Sequence, residues 1–227
     1  MALIEILPDL MWHATRAMRF GPVSVDTRMT IVRLPDRTLW VHSPIQPDEG
    51  LAAAIRAHGK VAYVVAPNRS HHSHFLDFLE SFPGALGFVA PGMEDKRPDL
   101  AGYPAIGPCG MPWSQALEGV FIAGLPILNE TAWYHPSSGT LILSDLLFFI
   151  GAGKSLLPRT LARMLGVDRR LAMSRTMRML VKDKAAFAQS VAALRSYDIR
   201  RIILAHDQII ETGAASQFAL AFRWLDP

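Results

Sequence analysis

The chain has 227 residues, half of them hydrophobic and 19% charged, with a formal net charge of +3. That length holds one large domain or two small ones around a sizeable core, and the single cysteine, Cys109, excludes an internal disulfide. No apolar run reaches the roughly 18–20 residues that cross a bilayer, and the N-terminus lacks the basic start and cleavage site of a secretory leader. The expectation is therefore a cytoplasmic protein with no membrane span.

The elements follow in chain order. Met29–Leu34 and Thr38–His42 flank Pro35-Asp36-Arg37, which predicts a β-hairpin. Residues 48–59 open on Asp48 and Glu49 and close on Gly59, the charge and capping pattern of a helix. The apolar run Val61–Ala66 predicts a buried strand, and Phe75–Phe82 has helical spacing up to Pro83-Gly84. Gly87–Ala90 predicts a short strand, followed by an irregular connection rich in Pro and Gly from Met93 to Pro112. Strands are predicted at Gly119–Ala123, Glu130–His135 and Thr140–Ser144, the last two joined by a turn at Pro136–Gly139. Ser155–Leu180 reads as helical and basic. Asp183–Ser196 is predicted as a helix with Phe187, Val191 and Leu194 on one face. A strand at Ile199–Ala205 and a helix from Ala214 to Trp224 complete a layered α/β arrangement taken as one domain over residues 1–227.

Charge is uneven along this chain. Residues 154–184 carry nine Lys or Arg (among them Lys154 and Arg159) against Asp168 and Asp183, a net +7 that leaves −4 on the remainder. Such a segment suits an anionic small-molecule substrate or a solvated helical face. It lacks the interleaved aromatics that stack bases, which argues against a nucleic-acid partner. A homo-oligomer is left open.

The chemistry concentrates in three places. Three of the eight histidines fall within four positions, His71, His72 and His74, just after the strand Val61–Ala66. Asp145 follows Leu141–Leu143, and His206 follows Ile202–Ala205. Each apolar strand thus stops at a group that is costly to bury without a partner. If these ends meet, imidazoles and a carboxylate face one another in a set suited to zinc, iron or manganese. The bland reading of each is a histidine or aspartate hydrogen-bonded to the backbone.

The succession of strand, histidine-rich loop, Ser-Asp-Leu-Leu-Phe after a hairpin, and a strand ending in Ala-His-Asp resembles the metallo-β-lactamase superfamily over nearly the whole chain. It looks most like a branch treated as a domain of unknown function, whose loop reads Pro-Asn-x-x-His-His. The resemblance implies a four-layer αβ/βα sandwich with a metal at one edge of two sheets. The superfamily's loop, His-x-His-x-Asp-His, laid over Pro67–His72, puts its first two histidines on Pro67 and Arg69, its aspartate on His71 and its last histidine on His72. Its bridging aspartate falls on Asp145 and its final histidine on His206. A further histidine falls near Leu125-Pro126 and is missing.

The resemblance therefore implies one divalent metal, zinc before iron or manganese, held by His71, His72, Asp145 and His206. Asp145 would also orient a metal-activated water, with Glu130 as a base or substitute ligand. Asn68, Arg69 and His42 are candidates for contact with substrate, Asn68 and Arg69 equally for bracing the loop, and His74 is read as a bystander. The expected activity is hydrolysis of an ester, amide or phosphoryl group. The rivals are a non-catalytic relative that binds or senses, and an iron-dependent oxidoreductase.

Overall fold

The structure, a computed structural model, describes residues 1–20, 23–107, 110–151, 156–206 and 208–226, the side chains of residues 19–20, 23–25 and 156–159 excepted. Cys109, Lys154, the side chain of Arg159 and the aspartate of the Ala-His-Asp motif lie outside that description.

Two sheets form the centre. The first holds β1 (Ile4–Leu7), β2 (Met11–Phe20), β3 (Val23–Arg33), β4 (Leu39–His42), β5 (Val61–Ala66) and β6 (Leu86–Val89), in that spatial order. The second runs β11-β10-β9-β8-β7, from β7 (Glu118–Phe121), β8 (Thr131–His135), β9 (Thr140–Leu143), β10 (Arg201–Leu204) and β11 (Ile209–Ile210). Helices α1 (Glu49–His58) and α2 (Phe75–Ser81) are the crossovers that make β4, β5 and β6 parallel neighbours. Helices α3 (Leu156–Leu165), α4 (Arg175–Met179) and α5 (Lys184–Arg195) lie between β9 and β10, which are also parallel, and α6 (Ala214–Ala221) follows β11.

The period-2 alternation of each strand makes the layers. On β4 and β5, Val41 and Val64 face α1 and α2 and meet Leu51, Ile55, Phe75 and Phe78. Their neighbours Trp40 and Val65 face the other way and meet Trp133, Ile142 and Ile203 of the second sheet. On β9 and β10, Leu141, Leu143, Ile202 and Leu204 turn outward onto Phe187, Val191, Leu194 and Phe218 of α5 and α6. The order is helices, sheet, sheet, helices. Between the sheets Trp40 and Trp133 meet edge to face at 5.5 Å, and Trp113, from the segment between β6 and β7, closes the gap at 5.6–6.1 Å from both.

Local chemistry explains the boundaries. The Asp48 side chain accepts from the Leu51 N–H and so caps α1, and Asp183 does the same for α5 through Ala186. Gly124 has φ +76, and a Cβ there would lie 2.1 Å from the Asp183 carbonyl oxygen. Only glycine lets the chain entering β8 touch the start of α5.

Two expectations need correction. Residues 155–180 are not one helical stretch. Gly166, at φ +78, ends α3, and the chain then bridges back through Ile150↔Asp168 and Phe148↔Ala172 before α4 begins. β1, β2, the first half of β3 and β11 lie outside the predicted strands. β2 lacks a clean apolar alternation because His13, Arg16 and Arg19 interrupt it, and its ten-residue pairing to β3 stabilises it instead. Among the described residues no helix is long and apolar enough to cross a membrane.

Candidate metal centre

Because β4, β5, β9 and β10 run into parallel pairings, their carboxyl ends reach common edges, where α/β folds place their sites. Four segments leave those ends: Ser43 after β4, Pro67–His74 after β5, Ser144-Asp145 after β9, and Ala205-His206 after β10. There His71 Nε2, Asp145 Oδ1 and His206 Nε2 converge, at 3.3 Å from His71 to Asp145, 3.2 Å between the imidazoles, and 3.1 Å from His206 to Asp145.

Asn68 organises this convergence. It is fully buried, and its carbonyl oxygen accepts from the Ser70 and His71 N–H groups at 2.8 Å each, which bends the loop so that His71 turns inward. Its amide donates to Asp145 Oδ2 at 2.9 Å and to Glu130 Oε2 at 3.1 Å. The loop is also pinned to the second sheet, through Arg69 N–H to the Leu128 carbonyl and Thr131 N–H to the Pro67 carbonyl.

Glu130, 0% exposed, accepts from the backbone N–H of Ser144 and of Asp145 at 2.8 Å each. Burial, and then the nearby Asp145 charge, push its carboxyl up to about 7. Burial also opposes charge on Asp145, but the His71 and His206 imidazoles outweigh it and hold that carboxyl well below its ordinary range. Burial likewise disfavours charge on His206, and the hydrogen bond to Asp145 overcomes this and raises the imidazole above its ordinary value.

The remaining ring nitrogens fix what the cluster can hold. The His206 Nδ1–H donates to the Asp26 carbonyl at 2.9 Å, and the ring stacks on Phe148 at 5.8 Å. That leaves the Nε2 lone pair aimed at the centre. The His71 Nδ1 meets Ser43 Oγ at 2.5 Å. Lone pairs of His206 Nε2 and Asp145 Oδ1 therefore face each other, and such an arrangement needs a proton or a cation between them. Zn–N bonds of about 2.0–2.1 Å place the ligand atoms of a tetrahedral site roughly 3.3 Å apart, close to the spacings here. The donor set fits a divalent metal, with three protein ligands and a side open to a cavity, and each ligand is braced by a further hydrogen bond.

The expected site residues divide sharply. His71, Asp145 and His206 come together. His72 does not join them. Its Nδ1 lies 2.9 Å from Arg97 Nη1, and since a guanidinium only donates, that lone pair is engaged and the proton sits on Nε2. Burial, then Lys96 and Arg97, lower His72 to about 4, so it is a neutral N–H donor on the cavity wall. Glu130 and Asn68 stand behind the donor cluster without reaching the cavity. Arg69 is not on the cavity wall, and its carbonyl accepts from the Lys96 ammonium at 2.6 Å. His74 lines the cavity beside Asp77, at 3.3 Å, outside the donor cluster.

His42 is corrected too. It is 1% exposed, packed on Trp40 and absent from the cavity wall, and its Nε2 has no hydrogen-bond partner among the described residues. Burial, then the neighbouring His71, lower it to about 3. A histidine depressed from 6.5 adds stability that is complete above pH 6.5 and lost as pH falls towards 3, because the unfolded chain takes up the proton first. The His42→Leu protein is thus expected to lose about 2–3 kcal/mol less stability than wild type between pH 6.5 and 4.5, measured by urea unfolding.

Two participants were not singled out from the sequence. Ser43 holds His71, and the Asp26 carbonyl holds His206. Ser43 sits at φ +55, a strained value for a non-glycine residue, and such strain gathers at functional sites. The parallel pairing of β4 with β5 was the available signal, since it puts the residue after β4 beside the loop after β5. The basic segment is less free than its charge suggested. Arg170, Arg175 and Arg178 donate to the carbonyls of Gly166, Met164 and Met173, and Arg163 pairs with Asp168 at 3.1 Å.

Comparison with known proteins agrees with this architecture. Residues 8–93 match the family described as Domain of unknown function (DUF4336). No curated protein matches the chain in sequence. Among solved structures, it is similar to a metallo-beta-lactamase from Pontibacter korlensis at 14% identity and a TM-score of 0.64, covering 95% of each chain. It is also similar to the FIM-1 metallo-beta-lactamase of Pseudomonas aeruginosa in a mono-zinc form, at 13% identity and a TM-score of 0.63, covering 100% of this chain and 96% of that one. A flavodiiron core from Synechocystis matches at 11% identity and a TM-score of 0.66, over 99% of this chain and 60% of its own. At such identities the likeness is one of fold: the chain has the metallo-β-lactamase fold, with a His/Asp cluster able to hold a metal at the edge of its sheets.

Proposed function

We propose that the protein is a metal-dependent hydrolase that uses one divalent ion, zinc, held by His71, Asp145 and His206. The observation that carries the reading is the meeting of three inward-facing donor atoms, 3.1–3.3 Å apart, at the wall of a cavity of about 790 Å³. A divalent ion in such a site acidifies a bound water and polarises a carbonyl or phosphoryl oxygen. The chain supplies the rest. His206 presents its Nε2 lone pair because the Asp26 carbonyl takes its Nδ1–H, and His71 does the same when Ser43 Oγ accepts from its Nδ1–H. Asp145 brings the negative charge, and Asn68 and Glu130 fix its orientation. The neutral His72 offers its N–H to an oxygen of the substrate that gains charge during attack.

A second reading, a binding protein that retains the metal without catalysis, draws support from Pro67 and Arg69, which stand where the superfamily's loop has histidines. One experiment separates the two. Protein purified without added metal is analysed for zinc, iron and manganese, then assayed on ester and phosphodiester probes. One equivalent of zinc with hydrolysis that stops on chelation is expected. Metal without hydrolysis favours the binding protein, and failure to take up any metal at micromolar concentration overturns the proposal.

A further inference from the structure

The cavity has two unlike walls. One is the polar side just described, with His71, His72, Asp145 and His206. The other is apolar and includes Met18, Phe148, Ile150, Leu165, Val167 and Met177. These side chains come from three places: β2, the two segments that bridge through Phe148↔Ala172 and Ile150↔Asp168, and the helices α3 and α4.

This wall is built differently from the rest of the interior. Phe148, Ile150 and Leu165 belong to a small cluster of their own, around Ala162, Val167 and Ala172, and are only partly buried. Leu161, on the same wall, is 40% exposed. Large apolar side chains are thus left facing a space of about 790 Å³, within the range of pockets that enclose most of a small ligand. Exposed apolar area of this kind gains free energy when a ligand covers it. Polar, sugar-like or highly charged ligands would leave it wet and would lose their own hydration against it.

We infer that the substrate carries an aliphatic acyl chain, which lies along the Phe148–Leu165–Met177 wall and brings its carbonyl end to the His71–Asp145–His206 cluster. This names the substrate class for the function proposed above and rests on it for the chemistry. The binding part stands on the cavity alone. His206 joins the two halves physically, since its ring stacks on Phe148 at 5.8 Å while its Nε2 faces the centre. A chain against Phe148 therefore ends within a few ångströms of the donor cluster.

The test uses the full chain after chelation, so that metal plays no part. Straight-chain alcohols from hexanol to decanol compete with a fluorescent naphthylamine probe for the cavity. Each added methylene buried in an apolar site tightens binding about fourfold, so hexanol to decanol should span roughly 200-fold. Leu161→Asp, a change at a partly exposed position that leaves the core intact, should weaken decanol binding at least tenfold at unchanged Tm. Met177→Gln provides a second variant with the same expectation should Leu161→Asp unfold.

Affinity that does not rise with chain length, or that neither variant alters, overturns the inference. The metal-loaded protein then gives an independent readout, with kcat/KM on p-nitrophenyl esters rising with acyl length. Chain-dependent alcohol binding in a protein that takes up no metal sinks the hydrolase and leaves the chain site standing. Hydrolysis of short esters with no dependence on length sinks the chain site alone.

Discussion

The Asp145→Ala protein should bind zinc more than 100-fold more weakly than wild type, measured by competition with a chromogenic chelator. Loss of a residue that merely supports a ligand costs 10–100-fold, so loss of a ligand itself exceeds that range. Among the described residues Asp145 is also the only anion of the cluster, and without it two neutral imidazoles, 3.2 Å apart, would hold the ion alone. A second signature appears in the chelated proteins. In wild type the raised His206 contributes stability that is complete below pH 6.5 and lost as pH rises through its folded-state value. Glu130, raised from 4.5 to about 7, acts in the same direction, its contribution complete below 4.5 and lost as pH rises through about 7. Metal-free wild type should therefore weaken from pH 6 to 8.5, and Asp145→Ala should flatten that fall, since the Asp145 hydrogen bond is what raises His206 and the Asp145 charge adds to burial in raising Glu130. An equal slope in the two proteins, read from urea midpoints, would show that the cluster is not coupled in this way.

The largest effect on stability is expected at Glu130. Glu130→Ala removes the acceptor of the Ser144 and Asp145 N–H groups and one of the two acceptors of the Asn68 amide. Orphaned buried donors cost about 1–3 kcal/mol each, so the total is about 3–5 kcal/mol once the relief of a buried carboxylate is counted. For a chain of this size that lowers Tm by roughly 10 °C. Zinc affinity should fall as well, by 10–100-fold, because Asp145 loses the clamp on its backbone. Glu130→Gln, which keeps one carbonyl oxygen, should fall between wild type and alanine in both measurements. A Glu130→Ala protein with native Tm and native zinc affinity would mean that the clamp contributes nothing.

Sequence reasoning located the three strand ends because an apolar run halting at His or Asp has few structural explanations. It could not assign the histidines within the loop. His71 and His72 are adjacent and chemically identical. What parts them is the Asn68 turn, which aims His71 inward, and Arg97, twenty-five residues further on, which occupies the His72 lone pair. Neither contact leaves a periodic trace. Glu130 was legible as a polar residue at the start of a strand, but its role depends on two backbone N–H groups fourteen and fifteen residues away. The strand β2 was missed for a related reason, since its pairing to β3 rather than its own composition stabilises it. Long-range partners decided each of these cases.

The donor cluster also has a mechanical side. His71 hangs from the first sheet, whereas Asp145 and His206 hang from the second. Away from their carboxyl ends the contact between the sheets is largely apolar and non-directional, carried by Trp40, Trp113 and Trp133. The Asn68 and His71 bonds to Asp145, with the Thr27↔His206 bridge, are directional rivets across that seam. Whatever bridges the cluster thereby ties the two sheets together at the wall of the cavity.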